Sequence, residues 1–120
     1  MDSKRLGVVE SKFADIVWQH EPLTSGQLVD LALKELGWKK STTYTVLKKL
    51  CDRGIFQNVN SIVTSLISKE ELYSMQSEEF VNETFQGSLP AFIASFTSRK
   101  RLSEEEILQI REMIDSYGKE

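Results

Sequence analysis

At 120 residues the chain has room for one compact domain and at most a small appendage. Its composition is that of a globular protein, with 40% hydrophobic and 28% charged residues; no apolar run nears the roughly 20 residues of a membrane helix, and the single Cys51 excludes an internal disulfide or a multi-cysteine metal site. The net charge of −3 hides a division, because residues 1–69 carry 10 Lys/Arg against 7 Asp/Glu and residues 70–120 carry 5 against 11, a basic part suited to phosphates followed by an acidic one.

The N-terminus shows no apolar run with a small-residue cleavage site, so no secretory signal is expected and the cytoplasm is the expected compartment. Val9, Phe13, Ile16 and Val17 recur at helical spacing and predict a first helix ending before Glu21-Pro22. Thr24 or Ser25 can cap a second helix, with Leu28, Leu31, Ala32 and Leu36 on its buried face and Gly37 as its stop. A third helix follows Trp38, with Thr43, Val46, Leu47 and Leu50 inward. Its outward surface carries Ser41, Thr42, Tyr44, Thr45, Lys48 and Lys49, with Lys39 and Lys40 at its start and Arg53 at its end. Gly54 closes it, and Ile55–Val59, a turn at Asn60-Ser61 and Ile62–Ile67 read as a two-stranded wing.

From Ser68, Ser68-Lys69-Glu70-Glu71 has the form of a capping box and opens a fourth helix that ends by Gly87 and Pro90. Leu89, Phe92, Ile93 and Phe96 then form an aromatic-rich stripe that a short helix cannot hide alone. Ser103-Glu104-Glu105-Glu106 caps a last helix with Ile107, Ile110, Ile114 and Tyr117 on one side. The expected fold is mainly α with a small β-wing: a winged helix-turn-helix over residues 1–67, then a helical region over 68–120 whose apolar stripe needs a partner surface.

A major groove about 12 Å wide accepts one helix presenting polar side chains to base edges. Thr and Ser hydroxyls can bond either base type, and lysines beside a helix N-terminus attract phosphate. The helix after Trp38 therefore offers a DNA-reading set of Lys39, Lys40, Ser41, Thr42, Tyr44, Thr45, Lys48, Lys49 and Arg53. The competing expectation is a winged-helix module that holds a protein through its wing, which has no charged residue between Ile55 and Ser68.

Catalysis is not expected. His20 and Cys51 sit in different helices without an orienting group, and no phosphate loop, nucleophile elbow or paired-carboxylate cleft is present. Glu104-Glu105-Glu106 serves a helix start rather than a metal, and Arg99-Lys100-Arg101 reads as a solvated connector. No cofactor and no metal site are expected.

Three stretches carry a resemblance to a known family: Ile16-Val17-Trp18; Ser41 through Leu50 before Asp52-Arg53-Gly54; and Phe85-Gln86-Gly87-Ser88-Leu89 through Phe96, then Leu102-Ser103. From Leu6 onward the chain resembles the penicillinase and methicillin-resistance repressors. That resemblance implies a homodimer on a palindromic double-stranded DNA operator, repressing a resistance operon. It puts DNA reading on the third helix and dimerisation on Leu89, Phe92, Ile93, Phe96, Ile107, Ile110 and Ile114. In antibiotic-responsive members a membrane sensor protease cuts an Asn-Phe bond in the dimerisation region; the corresponding pair here is Ser95-Phe96. The cysteine cluster of copper-responsive members has no counterpart, and the wing lacks the basic residues usual in the family.

Overall fold

In the computed structural model, which describes residues 5–119, the order of elements is α1 (Val8–His20), β1 (Leu23–Thr24), α2 (Ser25–Leu36), α3 (Lys40–Asp52), β2 (Phe56–Val59), β3 (Ile62–Ser65), α4 (Lys69–Phe85), α5 (Leu89–Arg99) and α6 (Glu104–Ser116). The expected class holds: a mostly helical chain with a small antiparallel sheet, a winged helix followed by a helical tail.

Local chemistry sets the boundaries. The Thr24 side chain accepts from the Gln27 amide at 3.0 Å while Gln27 Oε1 accepts from the Thr24 amide at 2.8 Å, which satisfies two first-turn donors and starts α2. Gly37 ends α2 at φ 70°, a left-handed conformation that favours glycine. Ser88 caps α5 with Pro90 in its first turn, and Ser103 and Glu106 form a reciprocal box at α6. At α4 the Glu71 amide donates to Ser68 Oγ at 3.1 Å.

The wing is a hairpin with Phe56 opposite Ser65 and Val59 opposite Ile62, turning through Asn60 and Ser61 at φ 53° and 65°. Two adjacent positive φ values match the twist of the strands. Both strands are shorter than the residue pattern predicts, although Leu66 N–H still donates to Ile55 O at 2.8 Å. The sheet has a third strand that the periodicity did not reveal, since β1 pairs with β3 through Leu23–Val63 and Thr24–Ile62. Two residues between Pro22 and a helix start are too few to show alternation.

Two compact units are formed, one ending at Glu79 and the other starting at Phe80. The core of the first comprises side chains from α1, α2, α3, the wing and α4, among them Phe13, Leu28, Leu50, Phe56, Val63 and Leu72. Trp38 stacks on Phe13 at 5.2 Å between ring centroids. Trp18 meets Phe56 and Tyr73 edge-on and donates its indole N–H to Ile67 O at 3.1 Å. Val9, which the spacing puts on the inner face, is 53% exposed, because the core starts one turn later at Phe13. In the second unit Phe80, Phe85 and Phe92 meet edge-on, 5.6 to 6.0 Å apart, yet no described residue from Phe80 onward is buried.

Candidate nucleic-acid interface

Helix α3 is anchored by one face and free on the other. Thr43, Leu47 and Leu50 are buried, while Ser41, Thr42, Tyr44, Thr45, Lys48 and Lys49 are exposed. The tight α2–α3 connection depends on Gly37, whose amide donates to Leu33 O at 3.0 Å, and on Trp38, whose amide donates to Ala32 O at 3.3 Å. At the start of α3, Lys39 occupies the capping position with no side-chain acceptor for the first-turn amides, so the positive end of the helix is left to solvent beside two lysines.

The exposed residues have their own local partners. Tyr44 donates its hydroxyl to Ser25 Oγ at 3.3 Å, tying α3 to the start of α2, and its ring lies 6.0 Å from Lys40 Nζ. Thr45 donates to Ser41 O at 2.9 Å, which leaves its oxygen lone pairs able to accept. Lys48 pairs with Asp52 at 2.8 Å; both side chains are well exposed, and the carboxylate raises the Lys48 pKa. Among Thr45, Lys48, Lys49, Asp52 and Arg53 lies an open depression of about 550 Å³.

Glu10 carries no signal in the local sequence pattern. This α1 carboxylate reaches the far end of the basic set, 2.9 Å from Lys49 Nζ and 4.0 Å from Arg53 Nη1, while accepting from the Gly7 amide at 3.0 Å. The Gly7 hydrogen bond and the Lys49 ammonium hold its pKa below the ordinary carboxylate value. Arg53 also donates to Arg5 O at 2.8 Å, and its side chain is only 17% exposed, so it is less available than the other basic residues of the set. Nothing in spacing along one chain signals a contact between residues 39 positions apart.

Elsewhere little chemistry is assembled. Burial, with Asp52 nearby, pushes the Cys51 thiol pKa up, the opposite of an activated nucleophile. His20 Nδ1 lies 3.0 Å from Ile16 O, a bond within its own helix. Among the described residues no group of acidic, His or Cys side chains could hold a metal ion, and no helix is long and apolar enough to cross a membrane. In the second unit Leu89, Ile93, Phe96, Ile107, Ile110 and Ile114 are exposed, whereas Phe92 is partly covered by Phe80 and Phe85. Ser95 and Phe96 lie exposed within α5.

A family model described as penicillinase repressor matches residues 6–116. The chain is also similar to the penicillinase repressor of Bacillus licheniformis, 20% identical over 112 residues that span 90% of this chain and 88% of that protein.

Proposed function

The chain belongs to the penicillinase repressor family, and from that membership we propose that it is a non-enzymatic cytoplasmic repressor that binds a palindromic DNA operator as a homodimer. The observation that carries the reading is α3: one face locked in the core by Thr43, Leu47 and Leu50, the other offering hydroxyls and lysines to solvent. Lys39, Lys40 and the open helix start grip phosphate, while Ser41, Thr42, Thr45 and Lys48 face base edges. Tyr44 and Lys49 flank them, and Arg53 closes the set. A dimer would set two such helices about 34–36 Å apart, or a multiple of that, on successive turns of the duplex.

Dimerisation through α5 and α6 belongs to this reading and is supported by exposure. Leu89, Ile93, Phe96, Ile107, Ile110 and Ile114 leave apolar surface in water that a second copy would cover. Induction by a membrane sensor protease that cuts Ser95-Phe96 belongs to the same reading, supported by the exposure of both residues. A chain that stays intact and bound to its operator under full induction refutes that route.

The test of DNA binding is a gel shift on the promoter region of its own gene, titrated with salt. A specific complex with a steep salt dependence is expected. Lys48→Glu should weaken it by about tenfold or more, through a lost base-edge contact and a new repulsion. A second reading, protein capture by the wing, has one observation in its favour: Val59 and Ile62 are 55% and 41% exposed at the tip of a wing without charges. A wing-held protein complex survives Lys48→Glu, whereas the DNA complex does not.

A further inference from the structure

We propose that Glu10 acts as a built-in phosphate surrogate, engaging Lys49 and Arg53 from within the chain and so limiting sequence-independent binding to duplex DNA. The inference rests on the DNA-reading role of α3 and adds a residue on another helix that sets its strength. Lys49 is exposed and stands on the reading helix, yet its ammonium lies 2.9 Å from a carboxylate whose side chain is only 21% exposed. That carboxylate is itself fixed, because Gly7 N–H donates to it at 3.0 Å as part of the α1 start. Arg53 is drawn to the same group at 4.0 Å and further held by the Arg5 carbonyl at 2.8 Å. A phosphate that takes Lys49 must displace Glu10 and then tolerate it as a near anion, so this contact adds little to DNA affinity. The second ion pair on α3 is different in kind. Lys48 and Asp52 are 75% and 64% exposed at 2.8 Å, so water already screens them and Lys48 is available.

This contrast gives the test. Glu10→Gln and Asp52→Asn change the net charge equally, and Gln at the third helical position can still accept from Gly7 N–H, which keeps the start of α1. Binding of the full chain to a random-sequence duplex is measured across a salt titration for the parent, both variants and the double variant Glu10→Gln with Lys49→Ala. The expected result for Glu10→Gln is a salt slope steeper by about one unit per protomer and binding tighter by about three- to tenfold near 0.1 M salt. Asp52→Asn should move neither by much, and the Lys49→Ala change should cancel the gain. Equal effects of Glu10→Gln and Asp52→Asn would mean that bulk charge is responsible, and overturn the proposal. So would a double variant that keeps the gain, or a Glu10→Gln variant that binds like the parent. If neither the parent nor any variant binds DNA, the repressor reading fails with it, which distinguishes that failure from the others.

Discussion

Thr43 sits on the buried face of α3, fully covered, and its hydroxyl oxygen finds no hydrogen-bond partner. An orphaned buried hydroxyl costs about 1–3 kcal/mol, and valine has nearly the same shape without it. Thr43→Val should therefore stabilise the protein by about 1 kcal/mol, read as a higher urea midpoint at unchanged slope, and leave DNA affinity alone because the side chain never reaches the groove. A loss of stability would mean that the hydroxyl is satisfied in solution. Position 43 was legible from sequence as an inward residue, through the spacing it shares with Leu47 and Leu50. The partners of Lys49 and Arg53 were not, since ion pairing with Glu10 joins two helices whose packing no local pattern reports. Glu10 also gives a pH signature. Folding lowers its pKa, so the unfolded chain binds that proton more readily; the contribution is complete above the ordinary carboxylate value of about 4.5 and fades as pH falls through the lowered one. Thermal melts of the parent and Glu10→Gln should differ by at most about 1 kcal/mol at pH 7 and converge towards pH 3. A gap that persists in acid would show that the interaction is not ionic.

Helix starts were the most readable features of the chain because they are written in short, strictly local chemistry. Thr24 with Gln27 and Ser103 with Glu106 each satisfy two donors within four residues. Strand β1 lies at the other extreme, two residues that pair with β3, about 40 positions away. The same strand pairing makes the wing root depend on Glu21, whose carboxylate accepts from both the amide and the hydroxyl of Ser65 at 2.8 and 2.9 Å. These caps differ in what they support. Ser103→Ala removes the acceptor for the Glu106 amide from a helix with no buried residue, so α6 has little packing to compensate. It should cost about 1 kcal/mol and lower the helical circular dichroism signal. In Thr24→Ala a similar cap is lost next to a packed sheet, so α2 should stay helical while the melting temperature falls. If Ser103→Ala leaves both helicity and melting unchanged, α6 is held by packing the single chain does not contain.

That last outcome points to the assembly. The winged-helix unit has a core of its own, whereas the described residues from Phe80 onward include none that is buried. The aromatic cluster of Phe80, Phe85 and Phe92 covers part of the apolar surface, which explains why Phe92 is less open than its stripe neighbours Leu89, Ile93 and Phe96. Sequence periodicity could show that this stripe exceeds what one helix hides, but which of its residues turn to their own chain depends on ring positions that only the folded unit fixes. Ile114 gives the cleanest test of the proposed dimer. It is 61% exposed in the single chain, so Ile114→Asp should change the stability of an isolated chain by no more than about 0.5 kcal/mol. Inside a dimer the same carboxylate would be buried twice without a partner, at a cost of several kcal/mol. The parent should sediment as a dimer and melt at a temperature that rises with concentration, whereas Ile114→Asp should sediment as a monomer and melt at a fixed temperature. Operator binding should fall with it, because a monomer fills one half-site and forfeits the effective concentration that links two reading helices. A variant that remains dimeric with the parent's operator affinity would remove Ile114 from the interface.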